Sequence, residues 1–366
     1  MRFICEKSTL QEAISIVTKA ITGKSTMPIL EGIYIEANNG TLTLIGSDND
    51  VSIQTQLEAT VLEPGKLVID SKIFSEIIRK LPNADVKIET LENEIVQLSC
   101  QKSIFNLVYM NAEDYPSLPK INEDITIGVN QHLLKNMIKG TSFAVALEET
   151  RPILQGVLFE IKNSQLNLVA LDGYRLATKT EYINYSEDLE IVIPGKTLNE
   201  VSKILNDTED EIQIKFTNNH ILFDLKNTTI ISRLLDGKFV SYRSLLPQEH
   251  KLLVEANRQE LQRCIERASL MAKDSTTNLV KLSFEEDNLV ITSNSQIGKV
   301  REELGINLQG EPIQIAFNSR YVLDVLKNME QDTVVLKMTS SISPCVIEAK
   351  DSSTSRYLVL PVRLVK

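Results

Sequence analysis

Asp172 and Arg175, on either side of Gly173-Tyr174, and the adjacent carboxylates Glu148 and Glu149 are the nearest this chain comes to an acid and base pair. Neither makes a catalytic set. No histidine, cysteine or serine sits in a nucleophile motif, and neither GxGxxG nor the GxxxxGK loop that cradles phosphate occurs. Neighbouring carboxylates on a loop are ordinarily solvated, so the residues argue against an enzyme. His132, His220 and His250 are scattered, and Cys5, Cys100, Cys264 and Cys345 lack CxxC or CxH spacing. That pattern speaks against a metal site and a disulfide framework, no cofactor is expected, and the cysteines read as buried apolar filler.

The elements carrying these residues repeat. RPILQGVLFEIKNSQLNLVALDGYRLA, from Arg151 to Ala177, reads as two strands about an Asn163-Ser164 turn, because Val157, Phe159 and Ile161 alternate, then Leu166, Leu168 and Ala170. Met27 to Asp50 says nearly the same, with Pro-Ile-Leu-x-Gly, an Asn-Asn-Gly turn and a closing Asp. Three strand-like runs, from Arg2, Ile125 and Lys251, lead into amphipathic helices, with Ser8, Asn130 and Asn257 where N-caps belong. Three more, from Gly65, Leu189 and Ile313, read strand, short helix, turn, strand. The result is six half-repeats of roughly 60 residues. The fold class is therefore α+β, three tandem domains each of two β-α-β-β-type half-repeats. The expected domains are 1-122, 123-248 and 249-366, the first two closing on Tyr115-Pro116-Ser117-Leu118-Pro119 and Tyr242-Arg243-Ser244-Leu245-Leu246-Pro247.

Charge narrows the partner. The chain carries a net −10, which taken in bulk repels nucleic acid. The six predicted helices and their flanks hold fifteen Lys and Arg, among them Lys72, Arg79, Lys139 and Lys203, against six Asp and Glu, about +9 there and about −19 elsewhere. Lysine and arginine are also good helix formers on a solvated face. A basic helical surface within an acidic body nonetheless suits a polyanion held by its phosphates without base readout. With helices spaced about 8 to 10 Å apart, six in a circle leave a hole of roughly 7 Å and twelve leave roughly 24 Å, so only two chains together admit duplex DNA. Such a ring closes by two heterologous, head-to-tail contacts. The first twenty residues carry charges throughout, and no window approaches eighteen uncharged apolar residues, so a soluble, cytoplasmic protein with no membrane partner is expected.

The order of these motifs, PIL-x-G with its hairpin, LDGYRLA from Leu171, LLDGKFVSYRSLLP from Leu234, YVLDVL from Tyr321 and YLVLPVRL from Tyr357, resembles the beta-subunit family of bacterial DNA polymerase III, the sliding clamps. The likeness covers the whole chain. It implies a non-catalytic DNA-replication processivity factor, a homodimeric ring with helices lining the hole and sheets outside. The implied partners are sequence-independent double-stranded DNA, polymerase III subunits, the clamp loader, other polymerases and repair proteins, the proteins docking by short linear peptides. The implied peptide pocket comprises Leu154, Leu171, Gly173, Tyr174, Arg175, Leu176, Val240, Leu245, Leu358, Val359, Leu360, Pro361, Val362 and Arg363. The resemblance places the dimer seam at Phe105 and Leu107 against Leu270 and Met271, and DNA contact at Lys24, Arg151, Pro152 and Ile153. Leu171, Val240 and Ser244 depart from the usual family residues, giving a more apolar wall suited to Leu or Phe anchors. The competing reading is an acidic protein-binding scaffold that does not encircle DNA.

Overall fold

The computed structural model describes residues 1–23, 25–119, 121, 125–148, 150–272, 278–296 and 298–363. Among these, six α-helices form: α1 (Lys7–Val17), α2 (Ser71–Lys80), α3 (Gln131–Lys139), α4 (Gly195–Ile204), α5 (Arg258–Ala272) and α6 (Ser319–Asn328). Each follows a strand without a linking loop, as the sequence patterns predict. The caps divide. Asp70, Asn257 and Asn318 accept from the backbone N–H of Ile73, Glu260 and Arg320 at 2.9, 3.0 and 3.0 Å. Ser8 does not cap α1: the helix begins a residue earlier, Glu6 is the N-cap position, and the Ser8 hydroxyl donates to the Glu6 carboxylate.

After each helix the chain runs through a three-strand meander, which extends the expected β-α-β-β pattern by one strand. The tight turns come from residues that tolerate left-handed backbone: Asn39 and Gly40 at φ 48° and 77°, Asn163 and Ser164 at 53° and 59°.

Two compact units result, Met1–His132 with Glu200–Leu234, and Leu133–Asn199 with Leu235–Lys366. Each unit holds strands from more than one third of the sequence, because two of the sheets run on from one third into the next. In the first unit, a five-stranded sheet ends on Ser103–Val108, and an eight-stranded sheet joins Val51–Glu58 to Thr228–Arg233. In the second, a nine-stranded sheet joins Arg175–Tyr182 to Ser352–Val359, and a four-stranded sheet ends on Gly298–Gly305. Each of these six strands is the last of a meander. Four are paired with one another, and two remain as sheet edges. Asn122 and Glu123, at the expected first boundary, lie outside the described residues.

Helices cover one face of the sheets. Within the first unit α1 packs on α2, burying Leu10, Ile14 and Val17 from one and Phe74, Ile77 and Ile78 from the other. Within the second α5 packs on α6. The four cysteines are free and buried, and burial pushes the Cys5 and Cys345 thiols up to about 12, so they stay protonated and unreactive.

Candidate functional site

The nine-stranded sheet of the second unit carries Leu171, Arg175, Leu176, Leu358 and Val359 of the expected pocket, and the turns, connector and tail around it carry the others. Its register is fixed by Leu158 opposite Val169, Leu171 opposite Leu176, and Leu176 opposite Leu358. Paired residues share a face, so these apolar side chains form one patch. Leu154 and Val192 join it, and Phe239 and Tyr242 close over it from the connector that follows Leu235. The alternation of Val157, Phe159 and Ile161 marks only the opposite face; here both faces of Gly156–Lys162 are buried, because the connector folds back on the strand.

The segments that flank this buried floor leave an exposed apolar rim: Tyr174 at 61%, Leu245 at 44%, Val240 at 38% and Leu360 at 37%. Exposed apolar side chains over an apolar floor are the form a peptide anchor site takes. The Leu360 N–H bonds the Tyr174 carbonyl at 2.9 Å and the Val362 N–H bonds the Ala316 carbonyl at 2.8 Å, fixing the tail as the second side of the rim. Pro361 and Val362 are half-buried there, and Arg363 is exposed.

Two pocket residues point elsewhere. Val359 lies opposite Arg175, one residue out of phase with Leu358, and so faces the other side of the sheet. Arg175 shares that opposite face; its guanidinium is buried against Phe143, Tyr321, Asp172 and Asp324. Neither lines the groove. Gly173 adopts φ 89° at the turn, a conformation that side chains rarely take, and Asp172 Oδ1 braces that turn by accepting from the Tyr174 and Arg175 N–H groups at 2.9 and 3.0 Å. Phe239, Tyr242, Val169 and Leu158 are outside the pocket set that the sequence implies. Only Val169 carried a signal, two residues before Leu171 on the same strand.

Further along this face the surface turns polar. The Glu160 carboxylate receives two bonds from Arg243, and a third from the Tyr242 hydroxyl at 3.0 Å. Burial alone pushes the Glu160 carboxyl up, but the Arg243 and Tyr242 bonds outweigh it and hold the group below the usual glutamate value. The folded carboxyl therefore ionises more readily than the unfolded one, so the pair stabilises at pH above the ordinary value and is lost as pH falls through the lowered one. The melting temperature of the wild type is expected to fall more steeply than that of Glu160→Gln between about pH 5 and about pH 3, in a thermal-unfolding series. A cleft of about 740 Å³ opens here. Its Lys337 and Arg356 share one carboxylate, Glu348, at 2.6 and 3.1 Å, which offsets one of the two positive charges.

The basic surface is narrower than the sequence tally. Within the helix bounds stand thirteen Lys and Arg against six Asp and Glu, a net of +7. Lys203 is paired with Glu200 at 2.8 Å. Lys72, Arg79 and Lys139 are exposed and form no ion pair among the described residues, and Lys72 lies beside Gly23. Arg79 and Lys139 also occupy last helical turns, where the helix dipole favours a cation. Arg151 and Pro152 are exposed, whereas Ile153 packs its side chain against the apolar patch. Lys24 lies outside the described residues. At the expected seam, Phe105 and Leu107 lie on the edge strand Ser103–Val108, exposed and half-buried respectively. Leu270 and Met271 stand at the end of α5, exposed and half-buried. No group of three or more His, Cys, Asp or Glu among the described residues could hold a metal ion.

Comparison with known proteins accounts for the chain end to end. Family models for the N-terminal, central and C-terminal domains of the DNA polymerase III beta subunit match residues 1–119, 128–241 and 243–363. The beta sliding clamp of Bacillus subtilis (strain 168) is 39% identical over 376 residues, covering 99% of this chain and 100% of the relative. That of Staphylococcus aureus (strain Mu50) is 35% identical over 374 residues, covering 99% of each. The crystal structure of the DNA polymerase sliding clamp from Bacillus subtilis matches with a TM-score of 0.95 at 38% identity over 100% of both chains. A Pseudomonas aeruginosa sliding clamp bound to griselimycin matches with a TM-score of 0.94 at 26% identity, again over 100% of both. Matched by all three domains of one family in their order, the chain belongs to the DNA polymerase III beta subunit family, the beta sliding clamps.

Proposed function

We propose that two copies of this chain close head to tail around duplex DNA and tether the replicative polymerase to it. The chain is a sliding clamp, a processivity factor without catalysis of its own. The observation that carries the dimer is a pairing rule. Within the chain, the last strand of a first half-repeat pairs antiparallel with the last strand of a second: Val51–Glu58 with Thr228–Arg233, and Arg175–Tyr182 with Ser352–Val359. The strands left over are Ser103–Val108, from a second half-repeat, and Gly298–Gly305, from a first. Joining them between two copies by the same rule gives two identical heterologous contacts and a closed ring. Phe105, Leu107, Leu270 and Met271 would flank that junction.

The three domains are proposed as 1-122, 123-248 and 249-366. The exposed rim over the apolar floor would take the short linear peptides of polymerase III subunits, the clamp loader, other polymerases and repair proteins. Lys24, Lys72, Arg79, Lys139 and Arg151 would meet DNA phosphates without reading sequence. The work would be done in the cytoplasm; no helix among the described residues is long and apolar enough to cross a membrane. Tethering raises the polymerase's effective concentration at the primer end, and that is how processivity rises without chemistry in the ring.

Loading onto a nicked circular DNA by a clamp loader, followed by linearisation, tests the reading. The chain is expected to remain on the circle and run off the linear form. Retention unchanged by cutting would mean surface binding, and no retention with a working loader would favour the scaffold.

A further inference from the structure

Arg175 is a buried cation beside the pocket, only 9% exposed, that never reaches the groove. Its Nε donates to Asp172 Oδ2 at 3.0 Å, Nη2 donates to the Phe143 carbonyl at 2.7 Å, and Nη1 donates to Asp324 on α6. The guanidinium also lies 5.4 Å from the Phe143 ring centre and 4.8 Å from that of Tyr321. Asp172 is committed locally, one oxygen to two backbone N–H groups and the other to Nε. Asp324 is thus the one carboxylate brought to Arg175 from another element among the described residues.

We propose that Asp324 is a positioning residue of the partner-peptide pocket, acting through Arg175 on the turn that ends in Tyr174. The inference rests on the pocket reading above and adds a residue that lies outside the groove. Tyr321 and Asp324 are three apart on α6 and so share a helix face. From that face Tyr321 stacks on Tyr174, centres 6.0 Å apart and planes 19° from parallel, while Asp324 holds Arg175, the next residue of the turn. The position of the turn then passes to the other side of the rim, because the Tyr174 carbonyl receives the Leu360 N–H. A buried guanidinium that loses one of its two carboxylates is under-compensated and moves toward water, taking Tyr174 with it. Tyr174 itself is the exposed contact; Asp324 only sets where it stands.

The test is fluorescence anisotropy with a fluorescein-labelled peptide carrying adjacent Leu and Phe anchors, on the full chain. Asp324→Asn is expected to weaken binding about tenfold, and Asp324→Glu to restore it to within about threefold, since charge and hydrogen bonding return. A double-mutant cycle separates positioning from a general loss of stability. With Tyr174→Ala in place, Asp324→Asn should cost little more, whereas independent effects would multiply. Amide exchange of residues 172–175 in the unliganded protein should quicken in Asp324→Asn, and this readout holds even where peptide binding is hard to measure. Unchanged affinity and exchange in that variant, or multiplying effects in the cycle, would overturn the inference alone. Failure of the wild type to bind the peptide would overturn the pocket reading and this inference with it.

Discussion

Replacing Leu245 and Leu360 together by alanine is expected to weaken partner-peptide binding by about thirty- to a hundredfold and to leave the melting temperature nearly unchanged. Both side chains are about two-fifths exposed in the free protein, at 44% and 37%. Truncating them removes little that the fold itself uses, and surface changes of this kind usually cost under about 0.5 kcal/mol. A peptide seated on the rim would bury the remainder. Completing the burial of two leucines that are already partly covered is worth roughly 2 to 2.7 kcal/mol in all, which converts to that range of affinity. The control is Leu171→Ala beneath them. Leu171 is in the buried floor, so the same truncation leaves a cavity and is expected to cost about 2 to 5 kcal/mol of stability. Anisotropy titration with thermal melts on both variants decides the matter. A rim variant that unfolds, or one that binds as well as the wild type, would mean that rim and floor have been confused.

The second large effect concerns the strand Ser103–Val108. It is uncharged, ends its sheet, and leaves Ile104, Phe105 and Val108 exposed. An apolar open edge is a hazard that proteins ordinarily blunt with charge or proline, unless the edge has a partner. Phe105→Asp is expected to raise the dimer dissociation constant at least about a hundredfold, because a carboxylate buried at a strand junction without a counter-charge costs several kcal/mol. The folded monomer should survive, since Phe105 lies at the open edge of the sheet, 38% exposed, where a carboxylate can still reach water. Sedimentation of wild type and variant over a concentration series reads this directly. A variant that dimerises as tightly as the wild type would refute the proposed seam.

Much of this architecture was legible in the residues, for physical reasons. Period-two runs passing straight into period-3.6 runs at Arg2, Gly65, Ile125, Leu189, Lys251 and Ile313 located all six helices, since no other structure buries both patterns. Asn257 was readable as a cap because its short amide reaches back to the Glu260 N–H; Ser8 was not, because Glu6 and Lys7 already continue strand into helix. Sidedness was the weak point. Arg175 and Val359 lie within the motifs of the expected pocket, yet sheet parity turns both to the far face, and parity depends on a register set by a strand about 180 residues away in sequence, as with Arg175 and Val359 themselves. Phe239 and Tyr242 are not legible as pocket floor because their burial comes from a connector returning to the sheet, a long-range event without local periodicity. A tally of charges alone leaves Lys203 a free cation, but its i−3 neighbour Glu200 holds it. The alternation of Phe105 with Leu107 already fits an edge strand, whereas the second open edge, Gly298–Gly305, depends on how the other last strands pair.

The floor of the groove is also the packed centre of its sheet, made of Leu154, Leu158, Leu171, Leu176 and Leu358. That double duty bears on inhibition. A compound seated on those leucines meets a target with few escape routes, since a floor substitution large enough to exclude it costs several kcal/mol against a total stability of about 5 to 15. Changes at the rim avoid that loss, but they would alter the surface proposed for the partner peptides. Resistance would therefore be expected to arise more readily through drug uptake or target abundance than through the groove's own residues.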